Sequence, residues 1–273
     1  TRITRKCLTR YTNSARSTIS WAIPCGHAII LIESSKTIRE RSVILPDRTQ
    51  PSTSRVVSKT ETLRVTEIFL SVQGESRSVG RPTVFIRLTG CPLRCQYCDT
   101  AYAFHGGSML ALDAILNRVD ELGVRHVTVT GGEPLAQPRV LGLLAALCNR
   151  GYVVSLETSG AIDIAAVDPR VSRVVDFKTP GSGEVDRNLF SNVAALRESD
   201  QVKFVICDRR DYCWAKDICA EHDLTAHVGE VLFSPSASEQ NARHLAEWIL
   251  ADRLDVRFQI QLHKVLWGDE TGR

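Results

Sequence analysis

Long hydrophobic runs are missing from this sequence of 273 residues. Its apolar stretches, such as the one at 28–32, are far shorter than the roughly 18–20 residues that cross a bilayer. The N-terminal residues also lack the order of charged head, apolar middle and small-residue cleavage site that marks a secretory signal. We therefore expect a cytoplasmic protein that has no contact with a membrane.

Acidic residues are scarce at the start: residues 1–60 carry 11 Lys and Arg against 3 Asp and Glu, whereas 61–273 carry 23 against 28. The net charge of +3 averages these unlike segments, so it does not indicate nucleic-acid binding. A transit-like leader, a disordered basic tail and wrongly joined upstream sequence all fit the first segment, and no methionine precedes Met109. We expect 1–62 to be disordered or not native, and 63–273 to form one catalytic domain.

Cysteine is too sparse for a disulfide scaffold, with nine residues in the whole chain. The odd total argues against complete pairing, and three of the nine lie within eight residues. This usage favours a reducing compartment and a metal centre over a secreted, disulfide-bonded protein.

The region after residue 63 alternates between strand and helix patterns. Apolar and β-branched runs predict strands at 84–88, 126–130, 152–156, 173–177, 201–207, 231–233 and 256–262. Helical spacing of apolar residues predicts helices at 110–122, 139–148, 188–197, 211–222 and 239–250. The alternation predicts an α/β fold with about six parallel strands covered by helices, which falls short of a full eightfold barrel.

Cys91, Cys95 and Cys98 have the spacing C-x3-C-x2-C. Each iron of a [4Fe–4S] cluster needs one external ligand, so three thiolates leave one iron open to a small molecule. A zinc site is the alternative; it normally takes four ligands, often as two separated pairs. The next cysteine is Cys148, although His105 remains a candidate fourth ligand. The spacing therefore favours an iron–sulfur cluster.

The cysteine loop resembles that of the radical S-adenosylmethionine (radical SAM) superfamily, in which an aromatic residue, here Tyr97, precedes the third cysteine. The segment 130–134, Thr-Gly-Gly-Glu-Pro, follows the next predicted strand and matches a second motif of that superfamily. This resemblance implies a partial (β/α) barrel whose site lies at the carboxyl ends of its strands.

Within the superfamily, residues 64–267 resemble the 7-carboxy-7-deazaguanine synthase family. The matching residues include Gln73-Gly74-Glu75, Phe85-Ile86-Arg87, Cys98-Asp99-Thr100, Glu157-Thr158-Ser159-Gly160, Gln261 and His263-Lys264. The resemblance implies radical ring contraction of 6-carboxy-5,6,7,8-tetrahydropterin to 7-carboxy-7-deazaguanine, with loss of ammonia, in queuosine or 7-deazapurine biosynthesis. The implied cofactors are a [4Fe–4S] cluster, S-adenosylmethionine and Mg²⁺.

The same resemblance assigns residues to each ligand. The cluster falls to Cys91, Cys95 and Cys98, and Mg²⁺ to Thr100. The S-adenosylmethionine positions are Tyr97, Cys98, Asp99, Gly132, Glu133, Glu157, Asp176, Phe177 and Lys178. The pterin positions are Val72, Gln73, Gly74, Glu75, Arg87, Thr130, Gln261 and His263. Implied partners are the pterin, an electron donor such as flavodoxin or ferredoxin, and a second copy of the chain in a homodimer.

This chain departs from the family pattern in two places. Many relatives have Ser-Pro-Lys where it has Asp176-Phe177-Lys178, and the chain continues through 267–273, beyond the point where relatives often stop. Two alternatives stay open: an activating enzyme that installs a glycyl radical on a partner protein, and a zinc-binding interaction module. The first lacks the paired Gln-Gly-Glu and Gln-x-His elements that this chain has.

Overall fold

The computed structural model describes residues 10–11, 20–21, 61–237 and 239–272. The chain divides into two units, residues 1–55 and 56–273. In the first unit, β1 (Arg10–Tyr11) pairs antiparallel with β2 (Ser20–Trp21). Of the other positions in 1–62, Glu61 and Thr62 are described and Thr62 begins a strand, while the rest lie outside the described residues, so the disorder expected there stays a prediction.

The second unit is built on a nine-stranded sheet in the order β11-β10-β9-β8-β7-β6-β4-β3-β5. Its strands are β3 (Thr62–Val72), β4 (Pro82–Leu88), β5 (Ser108–Ala111), β6 (His126–Gly131), β7 (Val153–Thr158), β8 (Ser172–Asp176), β9 (Gln201–Ile206), β10 (Glu230–Pro235) and β11 (Arg257–Phe258). Parallel pairs join β4, β6, β7, β8, β9, β10 and β11 in that order. Strand β3 pairs antiparallel with both β4 and β5. The predicted α/β fold with a mainly parallel sheet is confirmed.

Helices lie beside this sheet, and the first five of them pack against its strands, whereas the sixth buries no side chain. They are α1 (Leu112–Leu122), α2 (Val140–Asn149), α3 (Arg209–Glu221), α4 (Leu224–His227), α5 (Ala242–Asp252) and α6 (Leu262–Trp267). Helix α1 buries Ile115, Leu116 and Val119 and ends at Gly123, whose positive φ of 67° suits a residue without a side chain. No helix in the described part of the chain is long and apolar enough to cross a membrane.

The structure corrects three of the predicted elements. The helix expected at 188–197 is a short 3-10 helix, Phe190–Ala195. The last strand, expected at 256–262, covers only Arg257–Phe258 and is followed by α6, which the sequence pattern did not predict. The predicted helix at 110–122 begins at Leu112, because the residues before it form β5 beside β3.

A buried ion pair joins the amino ends of β8 and β9. Arg173 is almost fully buried and pairs with Asp200, to which it donates from its backbone N at 2.9 Å and from Nε at 3.0 Å. Its two terminal nitrogens donate to the backbone oxygens of Ile164 and Ala195. All these groups satisfy one another in a space that water does not reach, so the pair fixes the two strands relative to their connecting segments.

Removing one partner of this pair should destabilise the domain strongly. We expect Arg173→Met to lower the free energy of unfolding by about 3–5 kcal/mol, because the Asp200 charge stays buried without its main partner. Urea unfolding followed by circular dichroism measures this. The matched control is Arg170→Met, which breaks the exposed pair of Arg170 with Asp168 and should change stability very little. Equal losses in the two variants would contradict this account.

Candidate functional site

The carboxyl ends of the parallel strands meet at one edge of the sheet and surround a cavity of about 650 Å³. The cysteine loop follows β4, the Gly-Gly pair closes β6, and polar residues follow β7, β8 and β10. The side chains and backbone that line this cavity include Cys91, Cys95, Tyr97, Cys98, Asp99, Gly132, Glu157, Asp176, Lys178 and Ser234. Residues that are far apart in sequence therefore face one space.

The cysteine loop is held by hydrogen bonds to the segment after β8. Gln96 N donates to Ser182 O at 3.0 Å, and Arg94 N donates to the carboxylate of Glu184. Arg94 also donates from Nη1 to Cys91 O at 2.7 Å, and its guanidinium lies over the ring of Phe104. Because the middle of the loop is anchored at Arg94 and Gln96, the three thiols are presented by a fixed backbone.

The thiols of Cys91, Cys95 and Cys98 are free and line the same cavity. Among the described residues, no three His, Cys, Asp or Glu side chains converge closely enough to hold a single metal ion. Three thiols in one cavity suit a [4Fe–4S] cluster, since each thiolate binds a different iron. Burial raises the pKa of Cys91 and raises that of Cys95 to about 11, so these thiols hold their protons until iron displaces them.

The two glycines that end β6 allow the cysteine loop to pack directly on the neighbouring strand. A Cβ added at Gly132 would lie 2.3 Å from Gly90 O and 2.7 Å from Cys91 Cβ. One added at Gly131 would lie 2.4 Å from Leu88 O. Side chains at these positions would push the loop away, so the close approach requires glycine.

The side chain of Glu133 lies in the protein interior and does not line the cavity. Its side chain is fully buried and accepts hydrogen bonds from Leu135 N at 2.9 Å, from Thr158 Oγ1 at 2.9 and 3.0 Å, and from Ser159 through both N and Oγ. It joins the loop after β6 to the end of β7. The residue therefore positions the backbone at the cavity wall, and a direct contact with S-adenosylmethionine stays a prediction.

Two buried polar atoms of residues in the larger cavity's lining have no hydrogen-bond partner in the described part of the chain. They are the hydroxyl of Tyr97, a donor, and Oδ1 of Asp176, an acceptor. Leaving such atoms unpaired costs about 1–3 kcal/mol each, which proteins rarely accept without a ligand or water at the site. One unmet donor and one unmet acceptor fit S-adenosylmethionine, which carries hydroxyl, amino and carboxylate groups.

Lys203 lies at the centre of a charged network at the cavity wall. Its Nζ is 2.6 Å from Glu75 Oε2 and 3.5 Å from Asp176 Oδ2. Lys178 Nζ is 3.1 Å from the same Asp176 oxygen. Burial lowers the pKa of Lys203, but the carboxylates of Glu75, Asp176 and Glu157 raise it well above its ordinary value. The lysine therefore stays charged at neutral pH.

A second cavity of about 220 Å³ adjoins the first and shares part of its wall. The shared residues include Glu75, Asp99, Thr100, Thr130, Glu157, Lys203 and Gln261. The residues found only in the second cavity include Val72, Gln73, Arg87, Tyr102 and His263. Gly74 lies directly against His263, since a Cβ at Gly74 would lie 2.2 Å from His263 Nδ1. All but one of the predicted pterin residues thus line one cavity, and Gly74 lies beside it.

Arg87 is held in place at the second cavity by an acidic and two aromatic side chains. Its Nε donates to Glu67 Oε1 at 2.7 Å, and Tyr102 Oη donates to the same oxygen at 2.8 Å. Its guanidinium carbon lies 5.9 Å from the ring centre of Phe69 and 5.8 Å from that of Tyr102. Glu67 engages one of the five N–H groups of the guanidinium, which suits planar recognition of a carboxylate by the others.

Glu157 stands between the two cavities with a raised pKa. It accepts hydrogen bonds from Thr130 Oγ1 at 2.9 Å and from Gln73 Nε2 at 3.3 Å. Burial and then the charge of Glu75 raise its pKa, while Lys203 lowers it. The carboxyl group is therefore better suited to exchanging a proton near neutrality than an exposed glutamate is.

Asp99 and Thr100 form a small polar group beside Gln261. Thr100 Oγ1 donates to Asp99 Oδ1 at 2.9 Å, and Gln261 Nε2 donates to Asp99 Oδ2 at 3.2 Å and to Glu75 Oε1 at 2.9 Å. Burial raises the pKa of Asp99, but Lys264 and these hydrogen bonds lower it to about 2. Thr100 thus presents its hydroxyl beside a charged carboxylate, as a neutral ligand of Mg²⁺ would need. Mg²⁺ binding at Thr100 stays a prediction.

Some functional positions differ from the sequence expectation. The ring of Phe177 is buried against Phe190 and Phe204, and the residue lines neither cavity, so its contact with S-adenosylmethionine stays a prediction. Lys203 and Ser234 line the larger cavity but were not predicted. Lys203 could have been found as a lysine inside the apolar strand β9. Ser234 could have been found from its position at the carboxyl end of β10.

Comparisons with known proteins place the chain among radical enzymes. A family profile described as the Radical SAM superfamily matches residues 85–171. A 7-carboxy-7-deazaguanine synthase from Chlorobaculum tepidum is 44% identical over 212 residues, which cover 77% of this chain and 96% of that protein. One from Koribacter versatilis is 42% identical over 223 residues, covering 77% and 99%. The crystal structure of QueE from Escherichia coli has a TM-score of 0.57 at 24% identity and covers 74% of this chain and 95% of that one, which supports the fold alone.

The close approach at Gly132 leads to a test of the loop. We expect Gly132→Ala to leave the circular dichroism spectrum unchanged but to lower the iron and sulfide content after anaerobic reconstitution, because the added methyl group displaces Gly90 and Cys91. The control is Gly142→Ala in α2, whose added Cβ meets only Glu61 Oε2 at 3.4 Å. Full cluster loading of Gly132→Ala would contradict the role given to this contact.

Proposed function

We propose that this chain, which belongs to the 7-carboxy-7-deazaguanine synthase family of the radical SAM superfamily, converts 6-carboxy-5,6,7,8-tetrahydropterin to 7-carboxy-7-deazaguanine with loss of ammonia. The observation that carries the proposal is the pair of adjoining cavities, one lined by three cysteines and the other by Arg87 and His263. The relatives named above support this assignment over a glycyl-radical activating enzyme or a zinc-binding module.

In this proposal Cys91, Cys95 and Cys98 hold a [4Fe–4S] cluster, and S-adenosylmethionine occupies the remainder of the larger cavity. Together these groups supply radical chemistry, in which one electron cleaves the sulfonium and a hydrogen atom is taken from the substrate. The protein orients both reactants across a shared wall. The Gly131-Gly132 turn brings that wall next to the cysteine loop, so the two ligands lie side by side.

The second cavity holds the pterin. Arg87 binds its carboxylate, and the side chains of Gln73 and Gln261 offer amide groups to the polar ring edge. Glu157, with its raised pKa, is placed to accept or donate a proton as ammonia leaves. Burial lowers the pKa of His263, which keeps its imidazole neutral and able to accept a hydrogen bond.

Further parts of the proposal rest on the family resemblance. Thr100 contributes its hydroxyl to Mg²⁺ beside the substrate carboxylate, and the remaining positions are filled by substrate oxygens and water. An electron donor such as flavodoxin or ferredoxin reduces the cluster. The enzyme works in the cytoplasm as a homodimer and serves queuosine or another 7-deazapurine pathway.

The three cysteine ligands are tested by single substitutions. We expect Cys95→Ser to lose the broad visible absorbance of the reconstituted chain and all formation of 5′-deoxyadenosine, because a cluster held by two thiolates is labile. Cys213→Ser is the control, since Cys213 is exposed and lies outside both cavities. A variant that keeps absorbance and turnover would remove Cys95 from the ligand set.

The carboxylate role of Arg87 is tested by a matched substrate pair. We expect Arg87→Met to raise KM for the carboxylated tetrahydropterin about tenfold or more, which is the usual effect of losing a charge-assisted hydrogen bond. Binding of tetrahydropterin without the 6-carboxyl group should be weak in the unaltered chain and should change little in the variant. An equal loss for both pterins would show that Arg87 acts on the shape of the cavity instead.

A further inference from the structure

Lys203 is a cation inside a strand that is otherwise apolar or buried. It lies in β9 between Val202 and Phe204, which are fully buried, and its own side chain is 16% exposed. It lines both cavities. Burying an ammonium group is costly unless carboxylates compensate, so a lysine retained here has a specific use.

The two carboxylates paired with Lys203 differ in the cavities that they line. Asp176 is its register partner across the β8–β9 ladder and lines the larger cavity. Glu75 comes from the segment after β3, lines both cavities, and takes a second hydrogen bond from Gln261 at 2.9 Å. One ammonium group thus fixes an acidic residue on the cofactor side and another on the substrate side.

Asp176 is only half satisfied by these contacts. Its Oδ2 faces both Lys178, at 3.1 Å, and Lys203, at 3.5 Å, whereas its Oδ1 is buried with no hydrogen-bond partner in the described part of the chain. An ionised carboxylate accepts hydrogen bonds on both oxygens. The free oxygen therefore points to a donor that comes with a ligand.

We propose that Lys203 is a positioning residue shared by the two sites. It orients Asp176 so that Oδ1 accepts a hydrogen bond from an N–H or O–H group of bound S-adenosylmethionine, and it orients Glu75 toward N–H groups of the pterin. The inference rests on the proposed function and adds to it a side-chain role for Asp176. Without Lys203, Glu75 loses its lysine partner and Asp176 keeps only Lys178, so both carboxylates lose part of what holds their orientation.

The test measures the two ligands separately on the anaerobically reconstituted full chain. Equilibrium dialysis gives Kd for S-adenosylmethionine and for the carboxylated tetrahydropterin, and electron paramagnetic resonance of the reduced cluster reports whether S-adenosylmethionine changes its spectrum. The variants are Lys203→Met, Asp176→Asn and Glu75→Gln, with Lys203→Arg as the variant that keeps the charge. The matched control is Lys216→Met, which breaks a lysine–aspartate pair with Asp252 away from both cavities.

We expect Asp176→Asn to weaken the binding of S-adenosylmethionine about tenfold and to change the affinity for the pterin little. Glu75→Gln should weaken the binding of the pterin about tenfold and change the affinity for S-adenosylmethionine little. Lys203→Met should weaken the binding of both ligands and reduce the change that S-adenosylmethionine causes in the cluster spectrum. Lys203→Arg should restore much of both affinities and of the spectral change. Lys216→Met should alter neither the affinities nor the spectrum. The double variant Lys203→Met with Asp176→Asn should bind S-adenosylmethionine no worse than the weaker single variant, since both act through one contact.

The proposal is overturned if Asp176→Asn binds S-adenosylmethionine as the unaltered chain does, or if Lys203→Met weakens only one ligand. If Lys203→Met fails to fold, Lys203→Arg and Asp176→Asn decide: normal S-adenosylmethionine affinity in Asp176→Asn refutes the contact. If the unaltered chain binds S-adenosylmethionine but no carboxylated pterin, the proposed function and the substrate half fail, and Asp176→Asn still decides the cofactor half.

Discussion

The parallel pairing of β4 with β6 is the constraint on which the site depends. It places the cysteine loop and the Gly131-Gly132 turn at the same edge of the sheet, where backbone atoms approach more closely than any side chain would permit. Continuing the same pairing through β7, β8, β9 and β10 brings their carboxyl ends to that edge. The predicted cofactor and substrate positions follow from this pairing, and Glu133 joins the loop after β6 to the end of β7 through Thr158 and Ser159.

Charge organisation distinguishes the two cavities. Lys178, Asp176 and the thiols of Cys91 and Cys95 line only the larger one, and Asp176 Oδ1 has no partner among the described residues, whereas Arg87 and His263 line only the smaller one. Glu75, Glu157 and Lys203 lie on the wall between them. A wall whose opposite charges hold one another in place keeps its geometry when a ligand binds, which favours reactions that need preorganised polar groups.

Much of this arrangement follows from the sequence, and what does not has a physical cause. Strand and helix periodicity predicted the sheet, and the cysteine spacing with its Gly-Gly partner predicted the cofactor edge, because both signals are local. The short strand β5 and helix α6 carry too few residues to show a period, and their structure comes from packing on β3 and beside Gly74. Lys203 looked like one polar residue in a strand, and its partners Glu75 and Asp176 lie far from it in sequence.

The most direct test of the account is a single anaerobic reaction with the reconstituted full chain, S-adenosylmethionine, a reductant and 6-carboxy-5,6,7,8-tetrahydropterin. Product analysis by mass spectrometry, with ammonia measured in the same sample, follows every species. The account predicts 5′-deoxyadenosine together with 7-carboxy-7-deazaguanine and released ammonia. Formation of 5′-deoxyadenosine without the deazaguanine acid, under conditions where the pterin is bound, would contradict it.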